Sequence, residues 1–253
     1  MIKNYQDSLI WIIGASSGIG RALATDLSQK GATLVLSARR EEELIKLNEE
    51  LGGKHHVYAL DASDSHSIFK AATNISAKLP KLDSMIYMAA AYVPTSFQDT
   101  DIDHIRKALD VNLTGAMAAV LAVHQIYKKQ GFGQIALCAS VAGYKGLPNA
   151  QPYSATKAAM INLAETLRTD LQNDNIDVKI INPGFVRTPL TDKNDFKMPM
   201  IIEPEIAAQE IAKGLMSNKF ELHFPKKFTY IVKLISILPY SLFFAITRKM
   251  VKS

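Results

Sequence analysis

The feature that most restricts the fold is an alternation. Short, continuous apolar runs at 9–13, 32–37, 55–60, 84–89, 133–138 and 177–181 are separated by helical stretches near 18–30, 41–51, 65–79, 102–130, 152–174 and 204–217. Such runs suit strands buried on both faces of a parallel sheet. Repeated strand–helix units make a doubly wound α/β sheet, with right-handed crossovers placing helices on both faces. No internal repeat, low-complexity tract or Gly/Ser linker interrupts the pattern, so residues 1–225 read as a single domain. Two segments are irregular, 90–101 and 182–203. The second carries Pro183, Pro189 and Pro199 and is long enough for a functional lid.

Composition excludes several function classes. The net charge of +5 is a surplus that solvated surface explains, so no nucleic-acid partner is expected. Cys138 is the only cysteine; it cannot form an internal disulfide and reads as a buried strand residue. Six histidines are scattered without metal-ligand spacing, so no metal site is expected. The first apolar run, Leu9–Ile13, is five residues long and ends in a glycine motif rather than a cleavage site. A cytoplasmic location is the expectation.

That glycine motif, Gly14-Ala15-Ser16-Ser17-Gly18-Ile19-Gly20, joins the first strand to the first helix. Glycines there permit a tight turn and close approach of backbone to a pyrophosphate, which the helix N-terminus also attracts. A site preferring NAD has an acid at the end of the second strand to bind the ribose 2′-OH. Here the segment reads Leu36-Ser37-Ala38-Arg39-Arg40, with two arginines and no carboxylate. A guanidinium fork suits a 2′-phosphate, so NADP(H) is expected over NAD(H), with Arg39 as the phosphate ligand.

Tyr153 and Lys157 lie four residues apart near the start of a helical stretch, and so on one helix face. A cation beside a phenol is expected to lower its pKa from about 10, giving an acid/base group. Ser140 follows the strand at 133–138, thirteen residues before Tyr153. Asn112 sits inside a helical stretch, where Asn is a poor choice without a role.

Together these pieces resemble the classical short-chain dehydrogenases/reductases. The match comprises Gly14-x-x-x-Gly18-Ile19-Gly20, Asp61, Leu82-Asp83, Asn112, Ser140, Tyr153-x-x-x-Lys157 and Asn182-Pro183-Gly184-Phe185-Val186-Arg187-Thr188, over roughly residues 8–220. The resemblance implies a single Rossmann-type domain working on a small carbonyl or alcohol. It assigns Tyr153 as proton donor or base and Lys157 as the holder of the nicotinamide ribose. Ser140 would bind the substrate oxygen, and Asn112 would hold a relay water. Gly14, Ser16, Ser17 and Ile19 would line the pyrophosphate, with Gly18 and Gly20 shaping the turn. Asp61 and Ala62 would meet the adenine. Pro183, Gly184, Val186 and Thr188 would position the nicotinamide. It further implies a homodimer or homotetramer.

Two positions depart from the family pattern. Tyr87-Met88-Ala89-Ala90 stands where Asn-Asn-Ala-Gly is usual, keeping only Ala89, and Ile13 replaces a threonine. The first change bears on hydrogen bonding beside the cofactor ribose and leaves the proton-transfer residues untouched.

Residues 226–253 form a basic extension. From Leu222 onward there is no Asp or Glu, and apolar residues recur at helical spacing on either side of Pro239. Two short amphipathic helices hinged at the proline are expected. Three roles stay open: a peripheral anchor on the inner face of a membrane, a pocket lid or oligomer contact, and a true span. The functional expectation is an NADPH-dependent reductase of a ketone or aldehyde, with a lipophilic substrate suggested by the apolar tail. Alternatives are a non-catalytic dinucleotide-binding sensor or scaffold, and an epimerase or dehydratase on the same fold.

Overall fold

Seven parallel strands form one sheet in the order β3-β2-β1-β4-β5-β6-β7, in a computed structural model that describes residues 2–251. Lys252 and Ser253 of the basic extension lie outside the described residues. In chain order the elements are β1 (Leu9–Ile13), α1 (Gly18–Gln29), β2 (Thr33–Ser37), α2 (Glu41–Glu50), β3 (His56–Val57), α3 (Ser65–Lys78) and β4 (Ser84–Tyr87). They continue with α4 (Ile102–Leu109), α5 (Gly115–Gln130), β5 (Gly133–Cys138), α6 (Tyr153–Asp170), β6 (Ile176–Pro183), α7 (Pro204–Leu215) and β7 (Glu221–Phe224). Last come α8 (Lys226–Ser236) and α9 (Tyr240–Val251).

Side chains alternate across the sheet and feed two cores. Trp11 and Ile13 of β1 pack on one face with residues of α3, α5 and α6. Ile10 and Ile12 pack on the other with residues of α1, α2 and α7. Burial on both faces explains the unbroken apolar runs. Strand order reverses between β1 and β4, which is where a doubly wound sheet opens a crevice at its strand C-termini.

Three elements differ from the sequence expectation. β3 is only two residues long; beyond it Tyr58 and Leu60 still donate backbone hydrogen bonds to Leu36 and Ala38. The helix expected over 102–130 is broken by a π-helical turn at Asp110–Thr114, separating α4 from α5. β7 has no counterpart among the apolar runs of the sequence. Its Leu222 and Phe224 join a core, while His223 turns to α8 and its Nδ1 lies 2.6 Å from Thr229 Oγ1. The expected pair of C-terminal helices is present on either side of Pro239.

Candidate active site

The turn after β1 is built for close approach. Gly14 has φ +102°, and a Cβ there would lie 2.6 Å from the Ala89 backbone nitrogen. A Cβ on Gly20 would lie 2.1 Å from the Gly14 carbonyl oxygen, so α1 can start only against a bare backbone. Ser17, at the head of α1, makes no side-chain cap. The first N–H groups of the helix are thereby left for an anion. Ser16, Ser17, Gly18 and Ile19 line a crevice of about 470 Å³.

Along the same crevice, β2 ends at Ser37, whose hydroxyl accepts from Trp11 Nε1 at 2.9 Å. Arg39 and Arg40 follow, both exposed and both on the crevice wall. The Arg40 guanidinium stands 3.5 Å from Ser16 Oγ. Asp61 and Ala62 line the same crevice. Burial pushes the Asp61 carboxyl up, but hydrogen bonds from the Ser63 amide and hydroxyl, with Arg39 and Lys107 nearby, hold it below its ordinary pKa. The bare glycine turn, helix N-terminus and flanking arginines fit a dinucleotide phosphate chain.

Ser140, Tyr153 and Lys157 converge on the crevice floor. Ser140 follows β5, and its Oγ accepts from the Ala142 amide at 3.1 Å. Tyr153 opens α6, with Lys157 one turn later. The Lys157 ammonium donates to the Cys138 carbonyl at 2.7 Å and lies 5.4 Å from the centre of the Tyr153 ring. Burial lowers the Lys157 pKa. Burial also raises the Tyr153 phenol above its ordinary value, only partly offset by a hydrogen bond with Ser140. The expected lowering by Lys157 is therefore not met. The ammonium is turned toward a carbonyl, and desolvation of the phenolate outweighs it.

Asn112 lies apart from the crevice surface. It is fully buried in the π-helical turn; its Oδ1 accepts from the Ala91 amide at 2.7 Å, and its Nδ2 donates to Ala91 O and Thr156 Oγ1. The side chain thus clamps the segment after β4 to α6, and its amide is already occupied on both atoms. The family departure at Tyr87 has a related outcome. The β4 ladder runs intact from Ile13↔Tyr87 to Tyr87↔Leu137. The Tyr87 hydroxyl donates to the Val111 carbonyl at 2.5 Å, pinning the same π-helical turn.

Pro183, Gly184, Val186 and Thr188 close the crevice beyond β6, and Ala89 lies at its floor beside Gly14. Sequence reasoning missed Tyr92. Its ring meets Tyr153 edge-on with centres 4.9 Å apart. Its hydroxyl donates to Asn194 Oδ1 at 2.6 Å, and Lys193 Nζ donates to its carbonyl at 3.0 Å. The two irregular segments are therefore tied together beside Tyr153. Nothing in the local sequence at Tyr92 marks it, because its partners are about a hundred residues away.

Behind the crevice, Glu221 of β7 accepts hydrogen bonds from Tyr144, Asn182 Nδ2 and Lys233. Lys145 Nζ donates to the carbonyls of Ser236 at 2.8 Å and Leu238 at 3.0 Å, and sits over the Tyr240 and Phe243 rings. The turn after Ser140 is thus fastened to both C-terminal helices. No described residue of the extension lines the crevice, so the lid reading of the tail gains no support.

The short chain dehydrogenase family profile matches residues 8–198. An uncharacterised oxidoreductase of Myxococcus xanthus is 30% identical over 250 residues, 98% of each chain. Epidermal retinol dehydrogenase 2 of Mus musculus is 28% identical, covering 94% of this chain and 80% of its own. The crystal structure of a short-chain dehydrogenase from Streptomyces avermitilis superposes with a TM-score of 0.82 at 24% identity, over 90% of this chain and 92% of that one.

Proposed function

Because the chain belongs to the short chain dehydrogenase family of oxidoreductases, whose members use NAD(P), we propose that it reduces a ketone or aldehyde with NADPH, with Tyr153 as proton donor. The observation that carries this reading is that Ser140, Tyr153 and Lys157 line one crevice with Arg39 and Arg40, with no carboxylate at the end of β2.

In this reading the bare turn at Gly14, Gly18 and Gly20, with Ser16, Ser17 and Ile19, holds the pyrophosphate. Asp61 and Ala62 flank the adenine, Arg39 takes the 2′-phosphate, and Pro183, Gly184, Val186 and Thr188 seat the nicotinamide. The bound NADPH supplies the hydride. Ser140 Oγ and the Tyr153 hydroxyl hold the carbonyl oxygen from two sides. Tyr153 would give its proton to the carbonyl oxygen as negative charge develops there, so that the product is an alcohol. Lys157 would hold the nicotinamide ribose, and Ser140, hydrogen-bonded to Tyr153, would ease formation of the phenolate. Asn112 acts as a positioning residue through Ala91 and Thr156. Burial favours the protonated phenol, the form a proton donor needs.

A lipophilic substrate is consistent with the apolar pocket walls at Met88, Val93 and Leu190, and with the retinol named for one relative. The test is consumption of NADPH by purified protein with medium-chain ketones, cyclic ketones and long polyene aldehydes. Tyr153→Phe should cut turnover by about a hundredfold or more. Unchanged turnover in that variant overturns the mechanism. Sedimentation of the same sample reads the homodimer or homotetramer that the family implies.

A further inference from the structure

The C-terminal extension holds the positive charge of the chain. Residues 222–253 carry Lys226, Lys227, Lys233, Arg248, Lys249 and Lys252 and no acid, whereas the preceding residues have 23 Lys and Arg against 24 Asp and Glu. Eight large apolar side chains also face solvent between Tyr230 and Ile246, whereas the other eleven exposed ones among the described residues are spread from Ile45 to Met216. On α8, Tyr230, Ile231, Leu234 and the following Ile237 form one outward stripe, with Leu234 63% and Ile237 76% exposed. Lys227 lies on the same helical face. On α9, Tyr240, Leu242, Phe244 and Ile246 are exposed, while Phe243 and Thr247 are buried.

The inner faces are fixed. Phe228 packs at a tilt against Phe185 with ring centres 5.4 Å apart, Thr229 is fully buried, and Lys145 grips the corner between the helices. The outward apolar stripe is therefore held in place rather than adrift, and the described structure leaves it uncovered.

We propose that the outer faces of α8 and α9 dock this protein on an anionic phospholipid surface, with the helices lying in the headgroup plane. Tyrosine and aliphatic side chains would enter the acyl boundary, and Lys226, Lys227 and Arg248 would meet lipid phosphates. Charge selects this occupant. A two-fold contact between copies through this face would press two basic, acid-free patches together, whereas an anionic surface neutralises them. Neither helix is long enough to span a membrane by itself. α8 has 11 residues and α9 has 12, parted at Pro239, against the roughly 20 that a hydrocarbon core requires.

The test is flotation of the purified full chain with vesicles of phosphatidylcholine alone or mixed with phosphatidylglycerol. Binding should require phosphatidylglycerol and fall as salt screens the attraction. Lys227→Glu with Arg248→Glu should weaken partitioning by roughly 25-fold or more, since each basic residue near the surface is worth about fivefold. Leu234→Ser with Ile237→Ser should also weaken it, while all four substitutions leave the melting temperature and NADPH binding unchanged. Absence of binding to phosphatidylglycerol vesicles at low salt overturns the proposal. So does equal binding to neutral vesicles. A dimer that dissociates in the Leu234→Ser, Ile237→Ser variant, without any vesicle binding by the parent, assigns the face to a second copy instead.

Discussion

Tyr87 is the clearest place to test how this chain compensates for its departure from the family pattern. Its side chain is fully buried, and its hydroxyl is held by the Val111 carbonyl. Tyr87→Phe keeps the ring and removes one buried hydrogen bond, a loss of about 1–2 kcal/mol once the orphaned acceptor is counted. Tyr87→Ala empties the ring's volume from a packed core, which costs about 3–5 kcal/mol. Tyr87→Asn, the residue usual in the family, is too short to reach Val111 and should fall between them. Gly115 shows why the site is matched to tyrosine, since a Cβ there would lie 2.6 Å from the hydroxyl. Urea unfolding followed by the emission of the single tryptophan, the buried Trp11, reads these losses as midpoint shifts at constant slope. Tyr87→Phe within about 0.3 kcal/mol of the parent, well under one buried hydrogen bond, would refute the reasoning. So would Tyr87→Asn matching the parent.

Further outcomes are expected elsewhere. Arg39→Ala should raise the KM for NADPH by about tenfold or more and leave that for NADH nearly unchanged, because it removes a charge-assisted contact to the 2′-phosphate alone; equal effects on both would remove that role. Gly20→Ala should abolish dinucleotide binding measured by calorimetry, since its Cβ would meet the Gly14 carbonyl at 2.1 Å. His55 should make the fold acid-sensitive: its Nδ1 accepts from the Leu34 amide, and burial, with Lys54 and His56 adding, lowers its pKa from 6.5 to about 4. The unfolded chain takes up that proton first, so this stability is present above pH 6.5 and is lost as pH falls toward 4, by up to roughly 3 kcal/mol. Denaturation midpoints that do not change between neutral and mildly acid buffer would contradict it. His223, buried and lowered to about 4, acts in the same direction.

Much of this architecture is legible in the sequence because central parallel strands are apolar on both faces. β1, β2, β4, β5 and β6 announce themselves that way. β7 does not: Glu221-Leu222-His223-Phe224 is an edge strand of four residues, polar at alternate positions, and reads like a loop. The π-helical turn is hidden for another reason. Its single extra residue leaves the apolar pattern around Val111 looking helical, although it changes which way Asn112 points. Ser140, Tyr153 and Lys157 are readable because their separations along the chain are short and fixed. Tyr92 is not, because its contacts with Asn194 and Lys193 exist only once the chain has folded. The pKa direction at Tyr153 was also out of reach, since burial and the orientation of Lys157 decide it.

The Glu221 junction has a practical outcome for anyone shortening this protein. Ending the chain before Lys226 would strip Lys233 from a carboxylate shared with Tyr144 and Asn182, and would leave Lys145 without the carbonyls it caps. Both losses fall on the stretch that carries Ser140. A truncated enzyme that lost turnover would therefore report damage to its own scaffold, and surface point substitutions are the instrument that separates anchoring from catalysis.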